Sequence, residues 1–307
     1  VENPSKFFWW KLVLVFPSVL EESLIWQLNK SKISRFSIEY PPENTFKKSL
    51  NIWLPSFEWA KEDRENLELS LMELGKVFNQ EFFSIKWDKI INEDWSLSWK
   101  KFWSPDPIGD NILILPSWLG LPEIYNKRIV IKLDPGSAFG TGSHPTTRLC
   151  LEALERNPPL GLKVVDIGCG SGILGIAALK LGASNVSAVD IDSLAVKATS
   201  RNASLNGLDA TKLSVSVGSI DLLLNQGKNF EKGDLLLCNT LAPVIKELTP
   251  YFSKVTLPVS DLFLSGLLVE QVEDITSDLI KFGWTFVSSY NQTNWALIHL
   301  SRSRLEA

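Results

Sequence analysis

Asp166-Ile-Gly-Cys-Gly-Ser-Gly172 sets one acidic residue and three alternate glycines between a short apolar run and a helical stretch. Lys163–Val165 before it is of strand type, and Ile173–Leu181 after it reads as a helix stopped by Gly182. A strand, a glycine turn and a helix in succession make a turn suited to phosphate or a nucleotide. Glycine lets the backbone bend tightly and come close to a ligand. The next apolar run, Asn185–Val189, ends in Asp190, where such folds bind a ribose diol. Read one glycine later, Gly170-Ser-Gly172-Ile-Leu-Gly175 also fits the dinucleotide pattern G-x-G-x-x-G, with Asp190 about twenty residues on. That frame puts the turn inside the expected helix. The frame from Gly168 follows the strand directly and keeps Asp166 ahead of the first glycine. Glycines that only close a turn are the plainest alternative.

D-x-G-x-G-x-G resembles the form found in S-adenosylmethionine-dependent methyltransferases. Asp166, Gly168, Gly170, Gly172 and Asp190 are therefore candidate cofactor-binding residues, with a nicotinamide enzyme as the rival. A second cluster lies upstream: Asp134-Pro-Gly-Ser-Ala-Phe-Gly-Thr-Gly-Ser-His-Pro-Thr-Thr147. Its three glycines demand unusual backbone, and a loop of this kind ahead of a nucleotide fold reads as a lid or ligand clamp. Thr146 and Thr147 stand where a helix Thr147–Arg156 begins, with free N–H groups facing outward. A third candidate is Asn239, at the end of the strand expected near 234–238. Its amide offers both a donor and an acceptor on the ligand side of the sheet.

Composition narrows the class. The chain has 307 residues, 45% apolar, and a formal charge of −4. That size suits two domains. Neither half is a basic arm, so direct nucleic-acid binding is not expected. Cys150, Cys169 and Cys238 lack ligand-like spacing and suggest no disulfide framework, which points to a cytoplasmic setting. His144 and His299 are the only histidines, too few for a histidine metal site. No apolar run is long enough for a membrane span. Val1 rather than methionine opens the chain, which leaves room for residues ahead of it.

The elements that position these groups follow from periodicity. Phe8–Phe16 is a strand, and Pro17, Glu21 and Glu22 open a helix with apolar positions Leu20, Leu24, Trp26 and Leu28. Ile33–Tyr40 and Phe46–Leu54 are strands. Ser56 caps a helix to about Asn79 carrying Leu67, Leu71, Leu74 and Phe78 on one face, and Glu81–Ile90 is a strand. The order β-α-β-β-α-β predicts a small α+β, ferredoxin-like domain over 1–91. A Trp-rich joining segment follows over 92–127. In it Trp95, Trp99 and Trp103 form a helical stripe that locks the domains together or meets a partner, and Pro105–Asp110 is a turn. Strands at Asn111–Trp118 and Arg128–Leu133 come next. Thereafter strands near 163–167, 185–189, 213–217, 234–238 and 261–265 alternate with helices near 172–181, 193–206, 242–254 and 268–281. Trp284–Tyr290 and Trp295–Leu300 end the series. The expected architecture over 128–307 is α/β, a doubly wound, mostly parallel seven-stranded sheet with an antiparallel terminal pair.

Taken together, several segments resemble the PrmA-type methyltransferases, which modify the large-subunit ribosomal protein numbered eleven. The resemblance is carried by Leu133-Asp-Pro-Gly-x-Ala-Phe-Gly-Thr-Gly-x-His-Pro-Thr-Thr147, Asp166-Ile-Gly-Cys-Gly-Ser-Gly-Ile-Leu174 and Ala177-Ala-Leu-Lys-Leu-Gly182. It extends to Asp190-Ile-Asp192, Asn202-x-x-x-Asn-Gly207, Asn239-x-Leu-Ala242, Leu264-Ser-Gly-Leu267 with Gln271-Val, and upstream to Trp95-x-x-x-Trp99 and Ile114-Leu-Pro-Ser-Trp118. It covers roughly 92–300, and its loop is more distinctive than its glycine turn. Thr240 and Ser137 depart from the family's usual apolar residue and leucine.

The resemblance implies a substrate-recognition domain followed by a class I methyltransferase domain. Cofactor contacts fall on Thr147, Gly168, Asp190 and Asn239, and the loop brings in Phe139. It further implies methyl transfer from S-adenosylmethionine to lysine side-chain and N-terminal amines; a monomer is expected, although the sequence itself fixes no oligomeric state. Asn239 is then the group that orients the acceptor or cofactor, with no clear general base. Alternatives are a methyltransferase acting on another protein or small amine, and a non-catalytic assembly factor of the same fold. The related glutamine-amide methyltransferases carry N-P-P-Y where this chain has Asn239-Thr-Leu-Ala242.

Overall fold

The computed structural model describes residues 8–31, 33, 35–39, 46–56, 58–91, 103–134, 142, 144–225, 227 and 230–303. The chain divides into two compact units, Val1–Trp103 and Ser104–Ala307. Trp95, Trp99 and Phe139 lie outside the described residues.

In the first unit, β1 (Phe8–Pro17), α1 (Glu21–Lys30), β2 (Phe36–Glu39), β3 (Lys47–Pro55), α2 (Lys61–Val77) and β4 (Ser84–Ile91) follow in order. The sheet runs β2-β3-β1-β4, with every neighbouring pair antiparallel. Strand alternation turns Leu12, Leu14 and Phe16 to one face beside Leu50, Ile52 and Leu54. Leu20, Leu24, Leu28, Leu67 and Leu71 cover that face from the helices. Two expected core positions fail. Trp26 is 59% exposed and Phe78 47% exposed. The buried stripe on α1 has a spacing of four, and Trp26 stands two residues off it, on the far side of the helix. Ser56 does not cap α2. Its Oγ accepts from the Phe8 N–H at 3.4 Å, while the helix begins at Lys61 with the Ala60 N–H donating to Asp63 Oδ2 at 3.1 Å.

The second unit opens with β5 (Asp106–Ile108), β6 (Ile112–Pro116) and β7 (Ile129–Leu133), which form a three-stranded sheet. β5 was expected to be only turn. It pairs antiparallel with β6, and Pro107 is tolerated because β5 is an edge strand. α3 (Pro145–Arg156) leads into β8 (Lys163–Ile167), α4 (Ile173–Lys180), β9 (Asn185–Asp190), α5 (Ser193–Leu205), β10 (Leu213–Val217), α6 (Ile220–Asn225) and β11 (Gly233–Asn239). α7 (Ala242–Val255), β12 (Thr256–Leu268), α8 (Val272–Lys281), β13 (Thr285–Gln292) and β14 (Trp295–Arg302) complete it.

The seven-stranded sheet has the order β10-β9-β8-β11-β12-β14-β13. Its first five strands are parallel, and β14 is antiparallel to both neighbours. Both faces are covered. Val164, Leu235 and Leu237 pack into one core, Val165, Leu236 and Cys238 into the other. This two-sided burial makes the strands read as unbroken apolar runs. The six-residue α6 escaped the sequence because one and a half turns leave no readable period. β12 is longer than expected, and α8 starts at Val272 rather than near 268. Strand order reverses between β8 and β11, and such sheets bind ligands outside the carboxyl ends of the strands there.

Among the described residues, no helix is long and apolar enough to cross a membrane. Phe252 is fully buried, whereas Ile124 is 81% exposed. Phe252→Ala should cost about 3–5 kcal/mol, and Ile124→Ser should stay within about 0.5 kcal/mol. Urea unfolding of the two variants checks the placement; equal losses would contradict it.

Candidate active site

The turn after β8 is built on left-handed backbone. Gly168, Gly170 and Gly172 have φ of 73°, 57° and 79°. A side chain is strained there, and space is also short. A Cβ on Gly168 would stand 2.6 Å from Thr240 Cγ2, and one on Gly172 would stand 2.8 Å from Thr199 Cγ2. The glycine of the family-like D-x-G frame is therefore required twice, by conformation and by packing.

One carboxylate holds this turn and another the helix that follows it. Asp190, at the end of β9, accepts from the Gly170 N–H at 2.8 Å through Oδ2 and from the Asp192 N–H at 2.9 Å through Oδ1. Each oxygen keeps a further lone-pair direction. Asp166 is buried, and its Oδ2 accepts from the Gly175 N–H at 3.1 Å, one of the unpaired donors of the first turn of α4. Burial pushes its carboxyl up to about 7, with the Asp190 charge adding to the rise and the Gly175 N–H opposing it. Asp166 thus faces the helix beneath the turn.

A second pair meets at the end of β11. Asn239 Nδ2 donates to Thr147 Oγ1 at 3.4 Å. Thr147 is buried on α3, which begins at Pro145, two residues earlier than expected. The expected free N–H groups are occupied. His144 caps the helix, its Nδ1 accepting from the Thr146 N–H at 3.3 Å, and the Thr147 N–H donates to the His144 carbonyl at 3.1 Å. His144 also packs edge-on to Trp295, with ring centroids 5.0 Å apart. Arg148 fixes α3 to the three-stranded sheet through Asp106 at 2.6 Å, and Glu155 does so through the Asp110 N–H at 3.1 Å.

The structure therefore gathers Gly168, Gly170, Gly172, Asp166 and Asp190 at the ends of β8 and β9, and joins Thr147 to Asn239. Phe139 falls outside the described residues. Several residues given no role beforehand support the site. Thr199 Oγ1 donates to the Gly170 carbonyl at 2.9 Å, and Asn202 Nδ2 to the Ser171 carbonyl at 2.9 Å. Both are buried on α5. Gly266 sits at the bulge of β12 with φ 85°, and a Cβ there would come 2.0 Å from the Thr240 carbonyl oxygen. The available signal was a polar stripe at 199, 202 and 206 on one side of an expected helix, facing inward.

A family model described as ribosomal protein L11 methyltransferase (PrmA) matches residues 9–303. The chain belongs to the ribosomal protein L11 methyltransferase family. A protein of that name from Prochlorococcus marinus is 64% identical over 299 residues, covering 97% of this chain and 98% of its own length. Another, from Parasynechococcus marenigrum, is 49% identical over 288 residues, covering 93% and 99%. The crystal structure of a ribosomal protein L11 methylase from Lactobacillus delbrueckii subsp. bulgaricus aligns with TM-score 0.59 and 31% identity, over 66% of this chain and 100% of that one. The mostly parallel α/β sheet seen here is the methyltransferase fold.

In this family member the raised carboxyl of Asp166 has a measurable consequence. The folded chain holds a proton near pH 7 that an unfolded aspartate, at 3.8, has released. Its contribution to stability is fully present below the unfolded value and is lost as pH rises through about 7. Asp166→Asn should flatten the fall of melting temperature between about pH 4 and 7, leaving the part due to Glu22, whose carboxyl burial also raises to about 7. Asp166→Ala, which strands the Gly175 N–H, should cost about 1–3 kcal/mol. An unchanged slope in Asp166→Asn would contradict the burial of this group.

Proposed function

We propose that the protein transfers methyl groups from S-adenosylmethionine to lysine side-chain and N-terminal amines of ribosomal protein L11. The names of its relatives support the substrate. The cofactor rests chiefly on one observation: three left-handed glycines beside a carboxylate, Asp190, that has lone pairs to spare. The backbone past Gly168 has no side chain to keep a ligand away, and Asp190 retains one acceptor direction per oxygen, enough for the two hydroxyls of a ribose. These residues fit the group. When bound, it supplies an electrophilic methyl on sulfur.

The chain's own residues then position the acceptor. A lysine of pKa about 10.4 is neutral in only about one molecule in a thousand near pH 7.4. Desolvation in a closed site lowers an amine pKa, so no dedicated base is needed. Asn239 spends one of its two amide N–H groups on Thr147, and its carbonyl oxygen can accept from an amine N–H. In this reading Asn239 orients the amine lone pair, Thr147 sets the rotamer of Asn239, and Asp166 positions the turn from below.

The layout supports a division of labour over the chain. We read residues 1–91 as a substrate-recognition domain of ferredoxin-like type, since β2-β3-β1-β4 with two helices on one face is a split β-α-β order. Residues 92–127 join it to the methyltransferase domain at 128–307. The enzyme works as a cytoplasmic monomer on a protein rather than a nucleic-acid surface.

Calorimetry with S-adenosylmethionine and, separately, NADH tests the cofactor; binding of NADH alone would overturn it. Radiolabelled methyl transfer to purified ribosomal protein L11 tests the reaction. Asn239→Ala should lose about a hundredfold in turnover with the fold retained. Asp190→Ala should weaken S-adenosylmethionine at least about tenfold. Near-normal turnover in the first or unchanged affinity in the second would remove that residue from the site.

A further inference from the structure

α5 touches two segments that are far apart in sequence. Its inner stripe is Thr199 and Asn202, continued by Asn206 at its C-cap. Thr199 and Asn202 hold the glycine turn through the carbonyls of Gly170 and Ser171, each at 2.9 Å. Asn206 grips β7, accepting from the Lys132 N–H at 2.9 Å and donating to the Lys132 carbonyl at 2.7 Å. Beside it, Arg201 pairs with the Asp134 carboxylate at 2.7 Å. Among the described residues, Asn202 alone bonds to both segments through its side chain. Its Nδ2 donates to the Ser171 carbonyl, and its Oδ1 accepts from the Asp134 N–H at 2.9 Å. It is 1% exposed; its bond to Ser171 is buried and its bond to Asp134 half-buried.

The chemistry of that position is narrow. One end must donate and the other accept, at fixed directions, in a buried site. Aspartate accepts but cannot donate when ionised, alanine does neither, and a leucine of similar volume strands a carbonyl and an N–H. The amide orientation is set by the two partners, because the flipped amide would face oxygen with oxygen and N–H with N–H. Thr199 duplicates part of the hold on the turn, and Arg201 part of the hold on Asp134. Neither connects the two.

We propose that Asn202 is a positioning residue for the transfer reaction: it sets the cofactor turn at Gly170–Gly172 in register with the exit of β7 at Asp134. This rests on the reading of the turn as the S-adenosylmethionine site. Asn202 touches no ligand itself. Its effect passes through the Ser171 carbonyl to the backbone that lines the cofactor, and from Oδ1 to the residue at which the glycine-rich segment departs. Cutting the tie leaves the turn anchored by Asp190 and Thr199 but free to shift relative to β7.

Steady-state kinetics with S-adenosylmethionine and ribosomal protein L11 as the varied substrates test this, on wild type, Asn202→Ala, Asn202→Asp and Asn206→Ala. Loss of two buried hydrogen bonds should raise KM for S-adenosylmethionine at least about tenfold in Asn202→Ala. KM for the protein substrate should stay within about twofold. Asn202→Asp keeps the Asp134 bond and should show the same rise, because it has lost the donor to Ser171. Asn206→Ala frees Lys132 and the Asn202 carbonyl, which Asn206 Nδ2 also holds at 2.8 Å, but leaves both side-chain bonds of the Ser171–Asn202–Asp134 tie, and should keep KM for S-adenosylmethionine within about threefold. A variant that was only less well folded would lose kcat at unchanged KM. Unchanged KM for S-adenosylmethionine in the Asn202 variants, or an equal rise in Asn206→Ala, would overturn the proposal. Should Asn202→Ala not fold, Asn202→Asp carries the same comparison. A wild-type protein that fails to bind S-adenosylmethionine would instead overturn the reading of the site, so the two failures are distinct.

Discussion

Left-handed backbone at three alternate positions after β8 is the constraint on which the second unit depends. An L side chain at Gly168, Gly170 or Gly172 would be strained, and at Gly168 and Gly172 it would also collide with Thr240 and Thr199. Those neighbours are close because the turn is packed between two elements, the end of β11 and the inner face of α5. The glycines therefore do more than permit a bend. They let two structural walls, Thr240 on one side and Thr199 on the other, approach a stretch of bare backbone.

Charge is arranged around the same turn. Asp166 and Asp190 both serve N–H groups of the turn or of the helix it opens, so the donors left over at the start of α4 and beyond β9 are matched by carboxylates. Asp166 lies inside, where burial favours its neutral form, and Asp190 lies at the edge. Two acidic residues of similar appearance in sequence are thus separated, on neighbouring strands, into a buried support and a half-buried acceptor. Gly266 plays the corresponding part for β11. By removing a Cβ from the bulge of β12, it allows the Thr240 peptide to sit where Asn239 faces Thr147.

Much of this was legible in the sequence, and the reasons differ by element. The strands of the large sheet stood out because both faces are buried. The glycine turn, Asp190 and Asn239 stood out because chain position alone puts them at the carboxyl ends of the parallel strands. What stayed hidden depended on contacts between distant segments. The cap at His144 could not be separated from the glycine-rich stretch before it, and Asn202 became meaningful only once α5 lay against both Ser171 and Asp134. β5 was concealed by Pro107, a residue that normally argues against a strand. Trp26 and Phe78 misled because an aromatic near an apolar stripe looks like part of it, although Trp26 instead carries the Lys30 ammonium over its ring at 5.0 Å.

The order of the large sheet has a consequence for its assembly. β13 is made before β14, yet β14 lies between it and β12. Until β14 has been synthesised, β12 presents an unpaired edge over Ser260–Leu268, and β13 has no partner in the sheet. Insertion of β14 pairs both at once. Closure of this half of the sheet therefore waits on β14, and until then the β12 edge is open to aberrant strand pairing.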